Sequence, residues 1–242
     1  MSAGRLYGVG LGPGDPELVT VKAMRRLQGT RVAAHFAKGR HCGIARTIAA
    51  SWLPDDCTLL PLHYPVTTEL PFDGEDYRDL LGAFYAESAD LLATHLDAGR
   101  DVALLCEGDP LFYGSFMHLY VRLKDRFAVE IVPGVTGMSG CWTAAGVPMT
   151  WGDDVLTVLP GTLPAGALRE KLIGSDAVVI MKLGQNLAKV RMALEAEGLA
   201  ERAVYVERGT MAAETVMPLR DKVDDEAPYF ALVLVPGHGR RP

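Results

Sequence analysis

The sequence predicts an α/β protein built from two αβα domains, and three observations carry this prediction. Strand-sized apolar runs alternate with segments of helical hydrophobic spacing through both halves of the chain. Glycine-rich turns follow several of the strand-like runs, and one segment, 147–154, interrupts the alternation with proline, glycine and two acidic residues. We therefore expect an N-terminal domain over residues 1–149 with a mostly parallel sheet, and a C-terminal domain over residues 150–242 with a mixed sheet.

The first half reads as a series of strands joined by helical crossovers, the pattern of a parallel sheet. Asp15 is placed to cap the first helix, and Pro16 to occupy its first turn, where a missing N–H costs nothing. A long loop with two prolines, 63–71, precedes the longest helix, and loops of that length are often functional. The predicted strands are 5–10, 31–36, 58–62, 101–106 and 129–132, and the predicted helices are 16–27, 43–52, 77–96, 115–126 and 136–146.

The second half restarts the alternation, but its last three strands follow one another closely. Close spacing without helical crossovers favours antiparallel pairing, so the second sheet is predicted to be mixed. The predicted strands are 155–159, 177–181, 203–206, 214–218 and 229–235, and the predicted helices are 164–173 and 185–197.

Composition restricts the class of protein. The chain has 242 residues, of which 49% are hydrophobic and 22% charged, with a formal charge of −6, which argues against nucleic acid as the main partner. No apolar run is long enough to span a bilayer, no signal peptide is evident, and the four cysteines have neither disulfide-like nor metal-ligand spacing. We therefore expect a cytoplasmic protein with reduced thiols, no membrane contact and no bound metal.

Glycine-rich turns at three strand ends indicate where a ligand would bind. Their sequences are GVGLGPGD at 8–15, EGDPLFYGS at 107–115 and PGVTGMS at 133–139. The first is not a good dinucleotide fingerprint, because Pro13 removes a donor and the next strand ends without the acidic residue that holds a ribose. A purely structural role for such glycines stays open. None of the three turns carries lysine or arginine, which favours a neutral or cationic small molecule over a phosphate.

These turns resemble the N-terminal signatures of the tetrapyrrole (corrin/porphyrin) methylases, which use S-adenosyl-L-methionine and release S-adenosyl-L-homocysteine. The resemblance continues through KLGQN at 182–186, ERGT at 207–210 and YFALV at 229–233, so it covers nearly the whole chain. It implies the tetrapyrrole methylase fold, with the active site in the cleft between the two domains. The cofactor contacts that it implies are Pro13, Gly108, Asp109, Thr136, Gly137, Lys182, Gly209, Thr210, Tyr229, Ala231 and Leu232.

Within the family, HYPV at 63–66 and the YGSF turn at 113–116 resemble the branch that methylates precorrin-2 at C-20. Glu107 and Lys182 depart from the uroporphyrinogen-methylating branch. The substrate could instead be the cobalt complex of precorrin-2. A nucleotide-dependent oxidoreductase and a non-catalytic tetrapyrrole carrier are alternatives from other classes.

The implied reaction is methyl transfer to a ring carbon, followed by loss of a proton from that carbon. Tyr113, Glu107 and His63 are the candidate bases. Because precorrin-2 carries eight carboxylates, a local cationic rim is expected, and the basic residues after the second strand are the candidates: Lys38, Arg40, His41 and Arg46. An ordinary solvated loop is the alternative reading of that cluster. The resemblance also implies a homodimer.

Overall fold

The computed structural model describes residues 2–39, 42–67 and 74–239. The chain divides into two compact units, Met1–Thr136 and Gly137–Pro242, and each is described here by itself. The predicted boundary at 149/150 lies within the second of these units, beyond its first helix.

Unit 1 contains a five-stranded sheet in the order β3-β2-β4-β1-β5, and every neighbouring pair is parallel. The prediction of a parallel sheet joined by helices is therefore confirmed. The elements are β1 (Leu6–Gly10), α1 (Val21–Gln28), β2 (Val32–Ala37), α2 (Ile44–Ala49), β3 (Thr58–His63), α3 (Glu75–Asp97), β4 (Val102–Cys106), α4 (Phe116–Leu123) and β5 (Val129–Val132).

Helices cover both faces of this sheet, because successive side chains of a strand point to opposite sides. On β4, Val102 and Leu104 pack in a core with α3 and α4, whereas Ala103 and Leu105 pack in a second core with α1 and α2. β4 is buried along its whole length. The near-continuous apolar character of such strands follows from burial on both faces.

The predicted first helix, 16–27, is divided in two. Asp15 caps a short 3₁₀ turn, Pro16–Leu18, through a 2.8 Å bond from the Glu17 amide to its carboxylate. The α-helix begins only at Val21, and Thr20 caps it by accepting from the Ala23 amide at 3.1 Å. Both residues are good N-caps, and the sequence pattern alone did not show that the second one starts the α-helix.

Unit 2 contains a five-stranded sheet in the order β6-β7-β10-β8-β9. β6 and β7 are parallel, while β10 is antiparallel to both of its neighbours and β8 is antiparallel to β9. The prediction of a mixed sheet is confirmed. The elements are α5 (Gly137–Ala145), β6 (Leu156–Pro160), α6 (Ala165–Leu172), β7 (Ala177–Met181), α7 (Leu187–Ala196), β8 (Val204–Glu207), β9 (Thr215–Pro218) and β10 (Ala231–Val235).

The central strand β10 is wholly buried and divides two cores. Val233 belongs to the core beneath α6 and α7, and Leu234 to the core beneath α5. The strand begins at Ala231, two residues later than predicted, and the preceding Tyr229 is 82% exposed. In the described part of the chain, no helix is both long enough and apolar enough to cross a bilayer.

Candidate functional site

The three glycine-rich turns of unit 1 meet at one edge of its sheet. They follow β1, β4 and β5, which are adjacent and parallel, so their carboxyl ends lie side by side. This is the edge at which open parallel sheets bind ligands. The sequence predicted three such turns, and the strand order makes them neighbours.

Main-chain contacts join the three turns directly. The Gly108 amide donates to the Gly12 carbonyl at 2.8 Å, and the Gly12 amide donates back at 3.4 Å. A Cβ on Gly134 would lie 2.1 Å from the Gly108 carbonyl oxygen, and a Cβ on Gly10 would lie 2.5 Å from the Gly134 nitrogen. These glycines are therefore required by the approach of one turn to another, and Pro13 is buried beside them.

The Asp109 carboxylate ties the second turn to the third. One of its oxygens accepts from the Leu111 amide at 2.9 Å and the other from the Gly134 amide at 3.2 Å. Asp109 remains partly exposed, and a carboxylate has further acceptor capacity beyond these two bonds. It can therefore both hold the turns in place and present negative charge at the edge.

The three candidate bases have different environments. The Glu107 carboxylate accepts from the Ala45 amide at 2.9 Å at the start of α2, and burial raises the pKa of this carboxyl group. Tyr113 is 43% exposed, has a φ of 54° and packs edge-on against Phe112. His63, the last residue of β3, is exposed. Glu107 thus holds the start of α2, and the side chains of Tyr113 and His63 are exposed.

A hydroxyl cluster that the sequence analysis did not predict connects two of the motifs. The Ser115 hydroxyl accepts from the Tyr64 hydroxyl at 2.5 Å and from the Tyr85 hydroxyl at 3.0 Å. Tyr64 comes from the loop after β3, Ser115 from the turn after β4, and Tyr85 from α3. The Tyr85 ring stacks on His118 with centroids 4.2 Å apart. Motif spacing gives no sign of this contact, because it joins residues far apart in the chain.

The basic residues predicted for substrate binding are only partly described. Arg40 and His41 lie outside the described residues. The Lys38 ammonium donates to the Pro65 carbonyl at 3.1 Å, and the Arg46 guanidinium donates to the Cys42 sulfur at 2.9 Å. Arg46 also lines a cavity of about 330 Å³ beside β2 and β3.

In unit 2, the predicted cofactor residues gather at one edge of the sheet. The carboxyl ends of β7 and β8 and the amino end of β10 lie together, because β10 runs antiparallel to both strands. Lys182 follows β7, Gly209 and Thr210 follow β8, and Tyr229 precedes β10. The Ala231 and Leu232 side chains are buried in opposite cores, so only their backbone could contact a ligand.

Backbone strain is concentrated in the same turns. In the described residues, the non-glycine residues with positive φ are Tyr113, Lys182 (56°), Arg208 (48°) and Thr210 (70°). Such conformations cost about 1 to 3 kcal/mol each and persist where the surroundings impose them, often at functional sites. All four belong to signature turns identified from the sequence.

Polar and packing contacts hold the turn after β8. The Thr210 amide donates to the Glu214 carboxylate at 2.6 Å. A Cβ on Gly209 would lie 2.8 Å from the Cys141 sulfur, so α5 packs directly on this glycine. Burial raises the pKa of the Cys141 thiol to about 11, which keeps it protonated and inert. Gly137 is the first residue of α5, and Thr136 directly precedes it.

The described residues contain no cluster of three or more His, Cys, Asp or Glu side chains arranged to hold a metal ion. The candidate ligand edges are instead formed largely by main chain, with the Asp109 carboxylate and the Lys182 and Thr210 side chains as polar additions. Backbone carbonyls and one carboxylate suit a ligand that is partly cationic.

The chain is thus an α/β protein of two αβα units, each with strained or glycine-packed turns at one edge of its sheet. A family model described as Tetrapyrrole (Corrin/Porphyrin) Methylases matches residues 5–222, and the chain belongs to that family.

Individual relatives support this assignment. A precorrin-2 C(20)-methyltransferase of Sinorhizobium sp is 55% identical over 242 residues, covering 100% of this chain and 99% of that protein. The cobalamin biosynthesis protein CobIJ of Mycobacterium tuberculosis H37Rv is 50% identical over the same 242 residues, and the chain spans 48% of its length. A cobalt-precorrin-2 C(20)-methyltransferase of Salmonella typhimurium is 29% identical over 236 residues, 96% of each chain.

Solved structures show the same fold. The cobalt precorrin-4 methyltransferase CbiF aligns with a TM-score of 0.73 at 22% identity, covering 98% of this chain and 96% of that one. A uroporphyrin-III C-methyl transferase from Thermus thermophilus, complexed with S-adenyl homocysteine, aligns with a TM-score of 0.67 at 24% identity and 96% coverage of both chains. The predicted fold class and family are confirmed.

Proposed function

We propose that the protein is an S-adenosyl-L-methionine-dependent methyltransferase that methylates C-20 of precorrin-2, giving precorrin-3A in cobalamin biosynthesis. The observation that carries this proposal is the 55% identity, over the full length of the chain, to a protein named precorrin-2 C(20)-methyltransferase. The cobalt complex of precorrin-2 is the second candidate substrate, supported by the 29% identity to an enzyme named for it.

The cofactor proposal rests on the chemistry of the two sheet edges. When bound, S-adenosyl-L-methionine supplies an electrophilic methyl group on a positively charged sulfur. Asp109 and the carbonyls of the unit 1 turns provide negative charge suited to that group, and Pro13 and Gly108 shape the same edge. The remaining proposed contacts are Thr136, Gly137, Lys182, Gly209, Thr210 and the backbone of Tyr229, Ala231 and Leu232.

The chain's part in the reaction is mainly positioning. Methyl transfer to a neutral ring carbon moves the positive charge from the sulfur to the methylated ring and separates no charges, so binding the two reactants in a reactive geometry accounts for most of the expected acceleration. The proton that the methyl group replaces at C-20 then needs an acceptor. Tyr113 and His63 present exposed side chains for this role, whereas Glu107 is already bonded to the start of α2.

A labelling experiment tests the proposed function. The protein is incubated anaerobically with methyl-labelled S-adenosyl-L-methionine and either precorrin-2 or its cobalt complex. We expect label in the C-20 methyl group of the metal-free product. Faster labelling of the cobalt complex would reassign the substrate, and absence of label from both, with both ligands bound, would exclude the methyltransferase proposal in favour of a tetrapyrrole carrier.

Calorimetry separates the methyltransferase from an oxidoreductase. We expect binding of S-adenosyl-L-homocysteine and no binding of NAD, and Asp109→Ala should weaken cofactor binding far more than Arg220→Ala. Arg220 is a suitable control because it is exposed and its ion pairs within the described residues are with exposed carboxylates, those of Glu201 and Asp221. Equal effects of the two substitutions would remove the Asp109 turn from the cofactor site.

Substitution of Glu107 decides between its two candidate roles. If Glu107 is the base, Glu107→Gln should lower kcat by about 10²-fold or more. If it only holds the start of α2, glutamine still offers an oxygen to the Ala45 amide, and kcat should change little. We propose the second outcome, because the carboxylate is already bonded to Ala45.

We also propose that the protein forms a homodimer and is located in the cytoplasm. The proposed dimer rests on the family resemblance. Sedimentation of the purified protein at several concentrations tests the dimer, and cell fractionation tests the location.

A further inference from the structure

A cavity beside β3, an edge strand of the unit 1 sheet, is lined by basic side chains. It lies on one face of β2 and β3, where the register places His35 opposite Pro61 and Ala37 opposite His63. The start of the next helix closes it with Cys42 and Arg46, and its volume is about 330 Å³. That volume is at the small end of ligand pockets, enough for one flexible arm of a ligand but too small for a macrocycle.

The ionisable groups that line the cavity are bases and a thiol, and no carboxylate lines it in the described part of the chain. Arg46 is half-buried, and no described carboxylate lies within ion-pair distance of it. Its observed side-chain bond goes to the Cys42 sulfur, and a thiol sulfur is a weak acceptor. A guanidinium has five N–H donors, and in this half-buried position an anion bound beside Arg46 would accept from more of them.

The pKa of His35 is consistent with an electropositive cavity. Burial lowers the pKa of His35, the contact with the Phe36 carbonyl partly opposes this, and the nearby Arg46 and His63 lower the pKa further. His35 is thus neutral at pH 7 and can donate or accept a hydrogen bond, while His63 stands exposed at the mouth. An anionic ligand would be attracted by the Arg46 guanidinium and could accept a hydrogen bond from the neutral His35 ring.

We propose that this cavity binds one carboxylate arm of the tetrapyrrole, with Arg46 as the charged hydrogen-bond donor and His63 at the entrance. This inference rests on the proposed function and specifies a substrate contact within it. It assigns His63 to substrate binding, so Tyr113 remains the exposed candidate base.

The position of the cavity fits a substrate bound beside the cofactor turns. β2 and β3 continue the sheet from β4, so the cavity lies toward the β3 side of the edge formed by β4, β1 and β5. Glu107, directly after β4, holds the amide of Ala45, the neighbour of Arg46. Glu107 thus links the second glycine-rich turn to the helix that carries Arg46, the residue proposed to donate hydrogen bonds to the substrate carboxylate.

Alkylation of Cys42 provides a readout of occupancy that does not depend on catalysis. Cys42 is exposed within the cavity lining, while Cys57 lies outside the lining and serves as the internal reference. Iodoacetamide labelling of the intact protein is followed by mass spectrometry of the two peptides. At ten times its Kd, precorrin-2 should slow labelling of Cys42 about tenfold and leave Cys57 unchanged. S-adenosyl-L-homocysteine alone should protect neither thiol.

Kinetics of Arg46 variants give the second readout. Arg46→Gln should raise the KM for precorrin-2 about 10- to 100-fold with kcat changed less than about threefold, because a charge-assisted bond to the bound arm is lost. Arg46→Lys should recover part of the loss. Arg25→Gln, an exposed arginine of α1, is the matched control and should leave KM unchanged.

The outcomes separate this inference from the proposed function. Normal methylation without protection of Cys42, or an unchanged KM in Arg46→Gln, would overturn the carboxylate site and leave the proposed function intact. Protection of Cys42 without methylation would support the site and overturn the proposed function. Protection that is lost in Arg46→Gln but kept in Arg25→Gln would support the inference directly.

Discussion

Substitution of Gly134 tests whether the contact of the three unit 1 turns creates the ligand edge. A Cβ at this position would lie 2.1 Å from the Gly108 carbonyl oxygen and 2.9 Å from the Gly10 carbonyl carbon. Both neighbours are backbone, and real Cβ contacts are essentially never closer than 3.0 Å. In Gly134→Ala the turns must therefore separate by about 1 Å.

Gly134→Ala should affect both the stability of the fold and the affinity for the cofactor product. Overpacking of this kind costs about 1 to 3 kcal/mol, which lowers the Tm of a chain of this length by about 2 to 12 °C. A displacement of about 1 Å in a binding site costs about 10²-fold in function, so we expect S-adenosyl-L-homocysteine to bind at least about tenfold more weakly. Scanning calorimetry and titration calorimetry measure the two effects.

Gly82→Ala is the matched control for this experiment. Gly82 lies within α3, and outside its own helix no atom of the described residues lies within 4 Å of the position that a Cβ would take. Alanine should stabilise the helix by about 0.5 to 1 kcal/mol and leave cofactor affinity unchanged. Wild-type cofactor affinity in Gly134→Ala would refute the reasoning, because the displaced turns would then have no part in binding.

Three further predictions concern stability. Burial raises the pKa of Glu107, so its contribution to the free energy of unfolding is fully present below its unfolded pKa and is lost as the pH rises through its folded pKa. Urea unfolding should therefore show Glu107→Gln gaining stability relative to wild type as the pH rises above the unfolded pKa of a glutamate, about 4. Gly209→Ala should lower the stability by about 1 to 3 kcal/mol, because its Cβ would lie 2.8 Å from the Cys141 sulfur, and Cys141→Ala should partly rescue it. Ser115→Ala should cost about 1 to 3 kcal/mol, measured by urea unfolding, because it removes two hydrogen bonds from tyrosine hydroxyls.

Each of these predictions has a contradicting result. A pH-independent stability difference for Glu107→Gln would mean that burial does not control its ionisation. Failure of Cys141→Ala to rescue Gly209→Ala would place the strain elsewhere than at that sulfur. If Ser115→Ala is as stable as wild type, while removal of either tyrosine hydroxyl is costly, the hydroxyl cluster is not what stabilises this region.

The elements of the fold were largely predictable because their signals are local. Apolar runs such as that of β4 and the broad stripe of α3 are properties of consecutive residues, and both elements form where predicted. The boundaries were less predictable, because Asp15 and Thr20 are equally good caps and only packing decides where the α-helix begins.

The candidate site was predictable as motifs but not as contacts. The glycine-rich turns were evident, yet their glycines proved to serve contacts between turns, as at Gly134 and Gly108. The Ser115 cluster and the bond from Ala45 to Glu107 had no signal in the sequence, since each joins residues distant along the chain. The positive φ of Lys182 also gave no signal, because its residue type does not favour that conformation.

By itself, the sequence determined the kinds of element, their order and the family, because periodicity, turn chemistry and motifs are carried by neighbouring residues. The tertiary structure decided which strands are adjacent, so that the turns after β4, β1 and β5 meet and Arg46 lines a cavity beside β3. Strand order and register depend on burying apolar surface between residues far apart in the chain, and that free energy exists only once the sheet has formed.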